Sequence, residues 1–147
     1  MPASANITIG FATTTSKSIT VGGSTSNITG SPTISQSLTL SSTDVTKNYS
    51  TAATISTPTT IDTSSVVDYF GTTLSFATVK GVVIQNTGAG TLTVGGGSNA
   101  LFGTDQFTIK SGYTLPLLSP ITTSGSVKAI LLTPSASLSY SIIIVGT

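Results

Sequence analysis

The chain has 147 residues, with five lysines, four aspartates, no arginine, glutamate, histidine or cysteine, and a net charge of +1. That length suits one domain with a real core and is short for two of ordinary size. Lacking cysteine, the chain has no disulfides, thiolate metal sites or thiol chemistry, and scattered Lys17, Lys47, Lys80, Lys110 and Lys128 do not form the cationic cluster that a nucleic-acid partner requires.

Charged residues make up 6% of the sequence, against roughly 25% in typical soluble domains, while Ser and Thr exceed a third of it. Hydroxyls take the place of charges, and a surface so poorly charged is weakly defended against association. Hydrophobic residues at 37% and a mean hydropathy of +0.40 set the chain apart from disordered sequences. Thr favours strands, Ser, Gly, Asn and Pro favour turns, and helix formers are scarce, so the expected class is all-β. The opening MPASANITIG has neither a basic leader nor an apolar segment, and the longest apolar run, Ile142 to Val145, is far below the ~20 residues of a membrane helix. The expectation is a protein soluble as made, with no export route and no membrane partner.

Residues 1–45 contain thin apolar sets separated by Ser, Thr and Gly: Ile7 and Ile9, Ile19 and Val21, Ile28, Ile34, then Leu38 and Leu40. They read as a loosely attached Ser/Thr/Gly-rich arm, as strands completed by another subunit, or as edge strands of the same domain. The domain proper is expected over 46–147. Tyr49, Ala52, Ala53 and Ile55 form a strand that ends near Pro58, with Ile61 following. The segment DTSSVVDYF, Asp62 to Phe70, is the one candidate for a helical turn, with Asp62 or Ser64 as its cap.

The centre of the domain is GTTLSFATVKGVVIQNTGAGTLTVGGG, from Gly71 to Gly97. Val79 to Ile84 reads as strand, and its Val82, Val83 and Ile84 form a short run apolar on both faces, so this strand is expected to be covered on both sides. Thr87-Gly88-Ala89-Gly90 reads as a turn, and Leu92 and Val94 alternate with threonines as in a strand with one buried face. A hairpin is the economical arrangement. Further strands follow at Gln106 to Ile109, Tyr113 to Leu118, Ser126 to Leu132 and Leu138 to Val145, each closed by Gly, Ser or Pro. That spacing belongs to an antiparallel β-sandwich, jelly-roll-like in type. The last strand is so apolar that it is expected inside a sheet. The expected core is Phe76, Val82, Ile84, Leu92, Val94, Leu117, Ile130, Ile142 and Ile144.

No residue set carries a mechanism. The carboxylates are Asp44, Asp62, Asp68 and Asp105, and without Glu or His they make weak acid–base material. No catalytic, cofactor-binding or metal residue is assigned; zinc lacks ligands, and a calcium ion held by loop carbonyls and one Asp stays open. Gly88, Gly90, Gly95, Gly96 and Gly97 lack the lysine and hydroxyl of a phosphate loop and read as turn glycines. The sequons at Asn6, Asn27 and Asn48 are the chance product of a hydroxyl-rich chain. Tyr49, Tyr69, Tyr113 and Tyr140 suit sugar stacking in principle, and packing in a core or interface is the plainer role.

Three phrases in order, VVDYFGTTLSFATVKGVVIQNTGAGTLTVGGG, FGTDQFTIKSGYTLPLLSP and the closing YSIIIVGT, resemble a family of small structural proteins of tailed bacteriophages. In that family a "DAFG" segment precedes a "KAIYIKNTG…LTVGG" strand pair, then a glycine-containing strand ending in leucines and proline, and a "YDIVIIG" end. The likeness covers about 62–147; Ser141 stands where aspartate is usual, and residues 1–45 are richer in Ser and Thr than the family pattern. The resemblance implies a virion component, assembled in the host cytoplasm, with no enzymatic role and no catalytic residues to carry over. The expectation is a capsid decoration or cement protein whose partners are copies of itself, a trimer by analogy, and the major capsid protein or other virion proteins. Its N-terminal segment is expected to share in the contact between copies. The alternative is a tail or spike module that recognises host glycan through exposed tyrosines and loop hydroxyls.

Overall fold

The computed structural model describes residues 45–68 and 70–147 in full and, before them, the backbone of four strands. These four are β1 (Ala5–Ala12), β2 (Thr15–Val21), β3 (Ser24–Gly30) and β4 (Thr33–Leu40). Asn6–Thr39 forms one compact unit. Within it β1 pairs with β4, and β2 pairs with β3 antiparallel from Thr15↔Gly30 to Val21↔Ser24. All the apolar sets singled out before residue 41 fall inside these strands.

The second unit holds the remaining strands: β5 (Lys47–Ile55), β6 (Thr59–Asp62), β7 (Val66–Val67), β8 (Thr73–Leu74), β9 (Thr78–Asn86), β10 (Thr91–Gly95), β11 (Gln106–Lys110), β12 (Thr114–Leu117), β13 (Ile121–Thr122), β14 (Ala129–Pro134) and β15 (Leu138–Gly146). One sheet runs β12-β9-β15-β5, with β13 also on β9. The other runs β11-β10-β14-β6. Their pairs are antiparallel throughout, and no described residue is helical. The fold is all-β and β-sandwich-like, as composition and turn spacing lead one to expect.

The period of two places the core. On β10 Leu92 and Val94 are buried while Thr91 and Thr93 are half-buried, and on β15 Leu138, Tyr140, Ile142 and Ile144 point inward. These residues meet Val82 and Ile84 of β9, Ile109 of β11 and Ile130 and Leu132 of β14 in one cluster. Full burial of a side chain such as Ile84 is worth about 1.5–3 kcal/mol. The apolar β15 lies between β5 and β9, so both its edges are paired. Eight of the nine expected core residues are buried, whereas Leu117, on the edge strand β12, is only half-buried.

Three expectations are corrected. The strands β9 and β10 do not form a hairpin: β9 pairs with β12, β13 and β15, β10 pairs with β11 and β14, and residues 87–90 arch from one sheet to the other. The cause is Asn86, fully buried at the end of β9, whose Nδ2 donates to the carbonyls of Gly90 and Ile109 at 3.1 Å each and whose Oδ1 accepts from the Gly88 N–H. The N–H groups of Thr87 and Gly88 donate to the Ser139 carbonyl at 2.9 Å, and a Cβ on Gly88 would sit 2.5 Å from the Ser139 nitrogen. Only glycine fits that crossing.

Asp62 to Phe70 is not a helical turn. The Thr63 N–H and Oγ1 both donate to the Lys128 carbonyl, and Ser64 donates its N–H to Asp62 Oδ1, so side-chain bonds replace the helical ones. The β-branched Val66 and Val67 then extend and pair with Leu74 and Thr73. The third correction concerns β9, whose Val83 faces away from the core and is half-buried, so cover on both faces is incomplete.

Candidate functional site

The aspartates take separate places. Asp44 lies outside the described residues. Asp62 ends β6, accepts the Ser64 hydroxyl at 2.6 Å on Oδ1, and pairs with Lys128 Nζ at 3.0 Å through Oδ2. The Ser64 hydrogen bonds, outweighing some desolvation, and Lys128 hold its carboxyl below the usual range. Lys128 Nζ is also 3.4 Å from Ser64 Oγ. A hydroxyl beside an amine looks like a nucleophile and its base, but here the hydroxyl proton goes to Asp62 and the same carboxylate favours the charged lysine. The trio fastens the segment after β6 to the start of β14, where the Thr63 bonds to Lys128 do the same work.

Asp68 organises the turn between β7 and β8. Its Oδ1 accepts the N–H groups of Phe70 at 2.9 Å and Thr72 at 2.8 Å, its own N–H donates to the Thr72 carbonyl, and its carbonyl accepts from Gly71. Gly71 has φ 81°, a conformation that favours glycine. The turn thereby holds Phe70 at 88% exposure, and Val67, on the strand before it, is 55% exposed. Asp105 is exposed.

Among the described residues the tyrosines sit in different environments. Tyr140 is buried on the inner face of β15, with burial first and then Tyr49 pushing its hydroxyl pKa up. Tyr49 is half-buried against the core, and Tyr113 is 68% exposed before β12. Tyr69 lies outside the described residues. The turn glycines at 90, 95, 96 and 97 have positive φ, as turn residues should, and the strand order around them offers no helix N-terminus for a phosphate.

One surface feature gathers chemistry that sequence reading missed. The outward side of β5 and β15 has a groove bordered by Ser50, Ala52, Ser141 and Ile143, floored by Thr51 and Ile142, and flanked by Val67 and Asp68. The register opposes Ser141 to Ala52 and Ile143 to Ser50, a chequer of hydroxyl and apolar groups. Ile143 is 45% exposed there, beside Val83 of β9 and, one strand on, Pro116 of β12. The sequence signal was present in the serine that alternates with isoleucine on β15, but only the pairing with β5 makes it a surface. The opposite sheet shows an outward row of threonines, Thr108–Thr93–Thr133, across β11, β10 and β14. Comparison with protein-family models, with curated proteins and with solved structures finds no match.

Proposed function

We propose that the chain is a non-enzymatic bacteriophage virion protein, a capsid decoration or cement protein that stabilises the head through contacts with copies of itself and with the shell. The observation that carries the reading is the strand order. Taken in chain order, the main strands β5, β6, β9, β10, β11, β12, β14 and β15 cross between β12-β9-β15-β5 and β11-β10-β14-β6 at every step but β10 to β11, which supports a jelly roll built of two Greek keys. Viral capsid domains use that architecture, and so do lectins, so fold analogy alone does not decide between them.

Two further features favour the structural role. The phrases that resemble the phage family fall on strands of the second unit in chain order: the first spans β7 to β10, the second β11 and β12, and the closing one lies on β15. The scarcity of charge suits a surface covered by neighbours, and the threonine row on β11, β10 and β14 offers a hydroxyl-rich stretch of strand face, with the exposed Lys110 at its β11 end, to bury against a copy. A trimer is the oligomer proposed.

Microscopy and mass spectrometry of particles purified from the host of the phage test the proposal. The expected result is the protein on the head at fixed stoichiometry with the major capsid protein. Its absence from the particle overturns the reading, and its presence only at the tail tip, with inhibition of adsorption by the free protein, favours the tail or spike module.

A further inference from the structure

The fold gathers two lysines that stand far apart in the sequence. Lys47, at the start of β5, and Lys128, just before β14, border one open cavity of about 510 Å³ together with Ser64, Ser75, Thr123 and Ser124, and no aspartate lines it. Backbone bonds fasten its rim. The Phe76 N–H donates to the Thr63 carbonyl at 2.9 Å, the Thr63 N–H and hydroxyl both donate to the Lys128 carbonyl, and the Thr123 N–H donates to the Ala77 carbonyl at 3.0 Å while its hydroxyl donates to the Phe76 carbonyl. Residues 63–64, 75–77 and 123–128 are thereby stitched to one another, and Lys47 Nζ is anchored to them by donating to the Ser75 carbonyl at 2.6 Å.

The two charges are unequally spent. Lys128 is neutralised by Asp62 at 3.0 Å, whereas Lys47 uses one of its three N–H groups on a carbonyl, and among the described residues no carboxylate pairs with it. The cavity keeps one uncompensated positive charge. Its donors arrive from β5, from the segment before β9 and from the 123–128 turn, so an oxyanion with oxygens in three dimensions meets more of them than a planar carboxylate does. Lysine holds phosphate as a point charge and needs no fork. A nucleic-acid strand requires a row of cations, which two lysines do not make, and the fit is therefore to one phosphate group. We propose that this cavity binds a single phosphate group, free or carried on a small phosphomonoester. Lys47 is its counter-charge, Lys128 a second donor, and the Ser75 and Ser124 hydroxyls complete the shell.

The site does not rest on the virion proposal, because the cavity's own groups make it wherever the protein sits. The test is an amide chemical-shift titration of the full chain with inorganic phosphate, glycerol phosphate and acetate, each at constant ionic strength. Saturable shifts at 47, 64, 75–77 and 123–128 are expected with the phosphates by ~10 mM and not with acetate, and the tighter of the two phosphates identifies the source. Lys47→Gln is expected to weaken binding roughly tenfold or more, and Lys110→Gln, on β11, to leave it unchanged. Asp62→Asn releases Lys128 from its carboxylate while keeping an oxygen for the Ser64 N–H, and is expected to tighten binding about threefold. If Lys47→Gln lowers the melting temperature, Asp62→Asn decides, since a disturbed fold does not tighten binding. Absence of saturable shifts with either phosphate, acetate binding as well as phosphate, or binding that survives Lys47→Gln overturns the proposal.

Discussion

Asn86 and Ile109 belong to different sheets, and the side-chain Nδ2 of the first donates to the backbone carbonyl of the second at 3.1 Å in the fully buried interior. The same amide accepts the Gly88 N–H and donates to the Gly90 carbonyl, so one side chain fixes both the arch and its distance from β11.

Replacing Asn86 by Ala removes the partner of three backbone groups, of which the Ile109 carbonyl lies in the buried interior, and losing a buried partner costs about 1–3 kcal/mol where water cannot substitute, on top of the cavity left by the side chain. The expected destabilisation in chemical denaturation is at least ~2 kcal/mol, and Asn86→Asp is expected to be no milder, because its second oxygen would face the Gly90 and Ile109 carbonyls as acceptor against acceptor in a fully buried site. A loss under ~0.5 kcal/mol would mean that the arch is held by Thr87, Gly88 and Ser139 without help.

Ile84 is fully buried among Val82, Leu92 and Ile142, at the point where the two sheets meet. Ile84→Ala is expected to cost about 2–5 kcal/mol, the transfer and cavity loss of a packed core residue. A loss below ~1 kcal/mol would remove β9 from the centre of the fold.

Much of this fold was legible because strand periodicity is a local property. Leu92 and Val94 between threonines, and the Leu138-Tyr140-Ile142-Ile144 series, announce buried faces by themselves. Which strands pair is not local. Thr87 to Gly90 has the chemistry of a hairpin turn and of an arch alike, and the clue that separates them is a polar side chain, Asn86, at a position that alternation assigns to the core. Val66 and Val67 likewise suit a short helix or a strand, and the decision falls to Lys128 and Leu74, distant partners that sequence spacing does not reveal. The groove escaped notice for the same reason: Ser50 and Ile143 become neighbours only through the register of β5 with β15.

Acid should weaken the domain through Asp62. Its pKa is lowered from the ordinary 3.8, first by the Ser64 hydroxyl, so on acidification the unfolded chain takes up the proton before the folded one. The contribution is full above the unfolded value and is lost as pH falls through the folded value. The side chain is more than a third exposed, so the effect is small and shrinks with salt. Denaturation midpoints measured from pH 6 down to 2 should fall more steeply for the wild type than for Asp62→Asn; parallel slopes would refute the assignment.

Alkali should act through Tyr140. Burial, with a lesser effect of Tyr49, raises its pKa above the ordinary 10.0, so above that value the unfolded chain loses the proton more readily than the folded one. The contribution is complete below the unfolded pKa and disappears as pH rises through the folded one. Tyr140→Phe should flatten the decline in melting temperature between about pH 9 and 11. An unchanged decline would assign it to other groups, the lysines among them.

The threonine row gives the oligomer proposal a point of attack. Thr93 lies between Thr108 and Thr133 on the outward side of β10 and is half-buried, with Leu92 and Val94 beside it pointing into the core. Exchanging Thr93 for Arg places a charge on a strand face without disturbing the inward residues, and a like charge on each copy repels across a symmetric contact. Light scattering of the wild type at tens of micromolar should report a trimer, and Thr93→Arg should lower the mass toward that of a monomer while the melting temperature of the domain stays within a few degrees. A wild type that is monomeric at that concentration defeats the oligomer proposal. A variant that keeps the wild-type mass moves the contact off this face and onto the other surfaces of the chain, the N-terminal strands first, since β2 and β3 pair only with each other among the described residues and offer open edges to a neighbour.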